Sequence, residues 1–210
     1  MPYFHNTVKN EKVNLLLIHI PKTGGTSSEQ YFSKKYNVPL NKHALFSSAI
    51  TNNGASLQHQ TYNDIIENPS KFNVDYTNLV VLAAVRNPYS RLISDLWFYK
   101  LIELNATPEQ VYQAIKNKFL VATNTFDNHN LPQHTFITGR DGALIPDLII
   151  IKQESLTDDM KSLGYSDFNI HVSSSRSRRK FMDLLNPASI ALINSWYEKD
   201  FSLLGYSMVT

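Results

Sequence analysis

Apolar runs of four to seven residues recur along this chain, separated by stretches whose apolar residues repeat at helical spacing, and that alternation predicts strands and helices in turn. Three runs read as buried parallel strands: Leu15 to Ile20, Leu79 to Val85 and Leu148 to Ile151, rich in Leu, Val and Ile. A helix is expected after each. Thr26 to Lys35 can open one after the Gly24-Gly25 turn, and Pro88 suits a first helical turn, with Leu92, Leu96 and Tyr99 following at i, i+4, i+7. A further helix is expected from Pro108 to Phe119, and Ile190, Ile193 and Tyr197 at i, i+3, i+7 predict a last one packed on the sheet. Phe201 to Tyr206 reads as a short apolar ending. Between the first two strands, Asn37 to Thr77 is polar and turn-rich, with Asn52-Asn53-Gly54 as its clearest turn. The fold class is therefore α/β.

Composition narrows this picture. The chain has 210 residues, 42% of them hydrophobic, enough for a sizeable core, so one domain spanning residues 1–210 is the economical count. With 20 Lys and Arg against 18 Asp and Glu, the net charge of +2 is too near neutral for a nucleic-acid coat. The absence of cysteine excludes a disulfide framework, a thiolate zinc site, an iron–sulfur cluster and a cysteine nucleophile. The longest apolar run near the N-terminus, Leu15 to Ile18, falls far short of the ~20 residues of a membrane-spanning helix. It also lacks the basic flank and cleavage site of a signal peptide. The chain reads as cytoplasmic, with no membrane segment.

The most informative segment runs from Leu17 to Ser28. A buried strand ends at Pro21, Lys22 and Thr23 lead into Gly24-Gly25, and Thr26 and Ser27 begin a helix. Glycines let successive backbone N–H groups converge on an anion, and the helix N-terminus adds partial positive charge there. Lys22 adds a full charge, and the hydroxyls of Thr23, Thr26 and Ser27 can donate to phosphate or sulfate oxygens. In the nucleotide-triphosphatase loop the lysine follows the second glycine; here it comes first, which disfavours ATP hydrolysis. The bland alternative is an ordinary Gly-Gly turn with Lys22 solvated at its edge.

A second constellation follows strand Leu79 to Val85. Arg86 stands at its carboxyl end, the edge where open α/β sheets bind ligands, and its planar fork suits a phosphate monoester. Ser94, eight residues on, is about two helical turns away and can return a hydroxyl toward the same phosphate. The alternative is an arginine paired with a nearby carboxylate such as Asp95.

Together these two motifs resemble the sulfotransferases, most closely the carbohydrate enzymes of the chondroitin and heparan-sulfate 2-O type. Pro21 to Ser27 looks like their 5′-phosphosulfate loop, and Arg86 with Ser94 looks like their 3′-phosphate site. Leu131 to Ile137, Leu148 to Leu156 and Trp196 to Phe201 with Gly205-Tyr206 look like later landmarks, so matching pieces span residues 14 to 206. The resemblance implies a three-layer, P-loop nucleotide-kinase-like α/β fold with a central parallel sheet. It implies 3′-phosphoadenosine 5′-phosphosulfate (PAPS) as the donor cofactor and no metal, with adenosine 3′,5′-bisphosphate as product. The partner would be a hydroxyl-bearing acceptor, foremost a sugar or glycan, with a protein tyrosine or a small alcohol still open and no nucleic acid involved. Asn87 departs from the aspartate usual after the arginine. The membrane anchor and disulfides of the animal enzymes do not appear, so their glycosaminoglycan substrates are not carried over. Rival readings are a nucleotide kinase of the same fold class and a non-catalytic nucleotide-binding module.

Sulfuryl transfer to an alcohol needs a base and charge stabilisation of the leaving phosphate. Lys22 is the expected stabiliser. Among seven histidines, His59 is the expected base, because a histidine in a comparable segment has that role in the enzymes it resembles. His129 and His134 are the alternatives, His19 reads as a buried, hydrogen-bonded residue, and Glu154 reads as orienting its neighbours. No metal-ligand spacing such as His-Glu-x-x-His is present. Ser173 to Lys180 carries four positive charges in eight residues. It reads as a solvated loop, or functionally as a lid over the nucleotide, with a surface for an anionic acceptor as another reading and a nucleic-acid patch ranked last because no aromatic residue is interleaved.

Overall fold

Along the two central strands successive side chains alternate between two different cores, as a sheet covered on both faces requires. The computed structural model describes residues 2–8, 11–41, 45, 54–121, 126–170 and 180–210. Strand β2 (Glu11–Ile18) runs parallel to β3 (Val80–Val85), pairing Leu15 with Val80 and Ile18 with Ala83. β3 runs parallel to β4 (Ile149–Lys152), pairing Leu82 with Ile149. One face of the sheet carries Leu16, Ile18, Val81, Ala83 and Val85, and the other carries Leu15, Leu17, Leu82, Ala84 and Ile151.

Helix α1 (Gly25–Tyr36) covers the second face through Tyr31 and Phe32. Two short helices, α2 (Tyr62–Glu67) and α3 (Pro69–Phe72), cover the first face with Ile65 and Phe72. Beyond β3 come α4 (Pro88–Phe98), α5 (Pro108–Phe119) and α6 (Gln133–Ile137), and after β4 come α7 (Leu156–Ser162), α8 (Pro187–Trp196) and α9 (Glu198–Leu204). Phe136 and Ile137 of α6 and Leu204 of α9 join the first face, and Met160 of α7 joins the second. Leu92 and Leu96 of α4, Val111 and Ile115 of α5, Ile193 of α8 and Phe201 of α9 close a third, all-helical core beside the sheet. The result is three α/β layers with a helical annex.

The starts of α4, α5 and α8 follow from their sequence. Each has proline in its first turn, where no intrahelical donor is lost. Asn87 caps α4, and Thr107 with Gln110 forms a reciprocal capping box at α5.

Three expectations differ from the structure. A fourth strand, β1 (Tyr3–Val8), pairs antiparallel to β2 at the edge, so the sheet is mixed, in the order β1-β2-β3-β4. Phe4 is its only fully buried side chain, and one apolar anchor leaves too little alternation for a strand to be read. The apolar ending from Phe201 is helix α9, stopped by Gly205 in the left-handed conformation at φ 67°. Ile20, read as strand, lies past the end of β2. Asn52, Asn53 and residues 173–179 of the basic run lie outside the described residues. No helix among the described residues is long and apolar enough to cross a membrane.

Candidate functional site

The loop between β2 and α1 is tightly wound. Lys22 (φ 68°) and Gly24 (φ 92°) both take the left-handed conformation, and a Cβ on Gly24 would meet Leu156 Cδ2 at 3.2 Å. No side chain caps α1 and no acidic residue stands in its first turn, so its N-terminus keeps the partial positive charge that anions use. Thr23 differs from its expected role in one respect: its buried hydroxyl donates to the Ile20 carbonyl at 2.8 Å and braces the loop from inside. That hydroxyl is spent on the fold.

Two arginines tie this loop to α4. Arg86 donates from Nη1 to the Lys22 carbonyl at 3.3 Å and from Nε to Ser90 Oγ at 2.9 Å. The remaining N–H groups of its fork have no hydrogen-bond partner among the described residues, and Arg86 lines the cleft. Its main chain is gripped by buried Gln133, which accepts from Arg86 N–H at 2.9 Å and donates to Arg86 C=O at 2.8 Å. Arg91, expected nowhere, is buried and donates to the carbonyls of Pro21, Leu131 and His129. One guanidinium thus locks the loop after β2 to the segment that carries His129. Glu154 accepts from Asn87 N–H at 2.7 Å and from the Tyr206 hydroxyl at 2.9 Å, an orienting role beside Arg86.

Three histidines form a row. The His19 and His59 ring centroids lie 5.0 Å apart, and those of His59 and His129 lie 4.9 Å apart, each pair edge to face. Every Nδ1 faces a carboxylate: Glu29 for His19 at 2.6 Å, Asp127 for His59 at 2.7 Å, and Asp95 for His129. Asp95 is buried and also pairs with Lys118 Nζ at 2.7 Å. Burial pushes the His59 imidazole down to about 4, against the opposing hydrogen bond to Asp127, and its histidine neighbours add to the depression. His129 is lowered in the same way, by burial working against Asp95. Burial lowers the Lys22 ammonium too, with Asp95 opposing and Arg86 adding. Lys22 Nζ rests 4.1 Å from the ring centroid of Phe98, whose ring in turn stacks on His129.

These groups share one cleft of about 1080 Å³. Lys22, Gly24, Gly25, Thr26, Ser27, Arg86, Ser94 and His59 all line it, as do His19, His129 and Glu154. Thr23 does not, and neither does His134, whose Nδ1 is held by buried Asp200 at 2.8 Å while that carboxylate caps α6. His19 is buried and hydrogen-bonded as expected, but it also reaches the cleft wall. One ring nitrogen each of His59 and His129 and one carboxylate oxygen of Asp127 lie within 4.8 Å of one another. Asp127 is already engaged by His59 and by the amide and hydroxyl of Ser56, and His129 Nδ1 by Asp95, so the trio reads as paired dyads.

Sequence reasoning missed Asp127, Asp95, Arg91, Gln58 and Phe98. Only Asp95 carried a local signal, its place one turn after Arg91 on the helix that starts beside Arg86.

The loop's second glycine is fixed by the histidine row. A Cβ on Gly25 would fall 2.2 Å from His19 Cδ2 and 2.5 Å from Nε2, and His19 cannot swing away because Glu29 holds it in a buried site. Gly25→Ala should cost about 1–3 kcal/mol by overpacking, read as a lower urea midpoint at unchanged slope. In a His19→Ala background the same substitution should cost much less than it does in the wild type. An unchanged midpoint for Gly25→Ala would refute this packing.

No curated protein and no solved structure matches the chain. Residues 5–207, almost its whole length, match the sequence profile of the sulfotransferase family. The Gly24-Gly25 loop, Lys22 before it and His59 line one cleft in keeping with that match, and the chain belongs to the sulfotransferase family.

Proposed function

We propose that this protein transfers the sulfuryl group of PAPS to a hydroxyl acceptor, and that the acceptor is a sugar or glycan. The observation that carries the reading is the convergence of the Lys22 loop, Arg86, Ser94 and His59 on one cleft. The α1 N-terminus and the amides around Gly24 and Gly25 hold the 5′ end, and Lys22 is placed to leave the Phe98 ring and meet charge growing on the leaving phosphate. The free side of the Arg86 fork and the Ser94 hydroxyl take the 3′-phosphate. PAPS supplies the activated sulfuryl group. His59 takes the acceptor proton at Nε2 while Asp127 holds Nδ1–H and steadies the imidazolium.

The 3′-phosphate site separates this reading from that of a nucleotide kinase, which has no use for it. By calorimetry the wild-type protein should bind adenosine 3′,5′-bisphosphate about 100-fold more tightly than AMP, as expected for two charge-assisted hydrogen bonds. Equal affinities would remove the 3′ site and the donor with it. Tight nucleotide binding without sulfate transfer across a broad screen of sugars would favour the non-catalytic module.

A further inference from the structure

Gln58 precedes His59 in the 3-10 turn Leu57–His59 and lines the cleft. Its carboxamide Nε2 lies 2.9 Å from His59 Nε2. The direction of that hydrogen bond follows from the other side of the ring. Burial pushes the Asp127 carboxyl up, but hydrogen bonds from His59 and Ser56 outweigh it and hold the group below the usual carboxylate range. It is therefore ionised and only accepts, so the neutral His59 ring carries its proton on Nδ1. Nε2 then has a lone pair and no hydrogen, and its partner must donate, as the Gln58 amide N–H does. The lone pair that a base must offer is already engaged.

Gln58 is also built to let go. The turn that carries it is fixed independently: His59 N–H donates to the Ser56 carbonyl at 3.0 Å, and the buried Gln60 side chain donates to the Ala55 and Ser56 carbonyls. The Gln58 side chain is half-buried and makes no second hydrogen bond among the described residues. It can rotate off His59 without disturbing the backbone.

We propose that Gln58 is a place-holder on the base: without acceptor its carboxamide caps His59 Nε2 and denies it to water, and the acceptor hydroxyl takes the same position when it binds. The inference rests on the transferase reading above. Water is the natural competitor in such a cleft. In its attack a bond forms from water oxygen to sulfur, the bond from sulfur to the bridging phosphate oxygen breaks, and the water proton passes to Nε2. The products are sulfate and adenosine 3′,5′-bisphosphate. One neutral hydrogen bond is weak enough for an acceptor with further contacts to displace, whereas a single water gains only an exchange. Gln58 is thus a positioning residue that favours transfer over hydrolysis.

The test needs no knowledge of the acceptor. With labelled PAPS alone, Gln58→Leu should release sulfate about five- to tenfold faster than wild type, the factor expected for one lost hydrogen bond. Gln58→Glu should be slower than Gln58→Leu, because a carboxylate facing Nε2 retains the proton. Nitrogen NMR of the donor-free wild-type protein should show His59 protonated on Nδ1 and bare on Nε2, with the Nε2 resonance moving in Gln58→Leu. A proton on Nε2 in the wild type would overturn the inference, and so would a Gln58→Leu protein that hydrolyses PAPS no faster. Should Gln58→Leu fail to fold, the wild-type tautomer decides alone. Wild-type protein that does not bind adenosine 3′,5′-bisphosphate would sink the transferase reading itself, a distinct result from binding with unchanged hydrolysis.

Discussion

Replacing His59 by alanine should lower sulfate transfer by about 10²–10⁴-fold while leaving the affinity for adenosine 3′,5′-bisphosphate nearly intact. The separation is expected because the polar partners of the His59 side chain are Asp127 and Gln58, neither of which is in the loop or bonded to Arg86. Asp127→Asn should lose a comparable factor with the fold preserved. The asparagine amide would donate to Nδ1, so the proton would move to Nε2 and the ring would present N–H to the acceptor where a lone pair is needed. Transfer retained in either variant would remove His59 as base and direct attention to His129, one ring away.

The pH profile follows with a definite sign. Burial holds His59 at about 4 in the donor-free protein, so its neutral, proton-accepting form persists well below the ordinary histidine value of 6.5. The acid limb of kcat/KM, which reports the free enzyme, should therefore fall near pH 4 to 5, about two units below that of an exposed histidine. The limb of kcat should lie higher, because a bound anionic donor favours the imidazolium. Stability moves in the same sense. The unfolded chain binds a proton at this residue that the folded chain resists, so the folded state weakens as pH falls from about 6.5 toward 4.

Arg86→Ala should reduce affinity for adenosine 3′,5′-bisphosphate about 100-fold and leave AMP within a few-fold of wild type. AMP is the internal control. Arg86 also donates to the Lys22 carbonyl, so a loosened phosphate loop would weaken both nucleotides, whereas loss of the 3′ contact weakens only one. Arg86→Lys should fall between, since a point charge survives but the fork does not. Equal losses for the two nucleotides would place the 3′-phosphate elsewhere.

Much of the framework was legible because it is written locally. Residues 80–85 and 149–151 are apolar on both faces of the sheet, so they read as buried strands without any knowledge of their neighbours. Helix α5 was bounded correctly because Thr107, Pro108 and Gln110 specify its start within four residues. The three-layer nucleotide-kinase-like arrangement implied by the resemblance is the one observed, with the antiparallel β1 added at its edge. The elements that escaped are short or half-exposed. β1 buries one side chain fully, and α6 has five residues, too few to show a helical period, with its first amides capped by Asp200 from across the fold.

The sequence by itself determined the α/β class, the strand–lysine–glycine–hydroxyl–helix order of the anion loop, and an arginine at the carboxyl end of the next strand. Each of these depends on residues a few positions apart, where backbone geometry and turn chemistry act directly. Only the tertiary structure decided which of seven histidines meet in the cleft, because that depends on partners far along the chain. Asp127 is 68 residues from His59, Asp95 is 34 from His129, and Gln133 is 47 from the Arg86 main chain it grips. Carboxylate–imidazole pairing and burial arise where distant segments cross, and no periodicity in the sequence records that crossing.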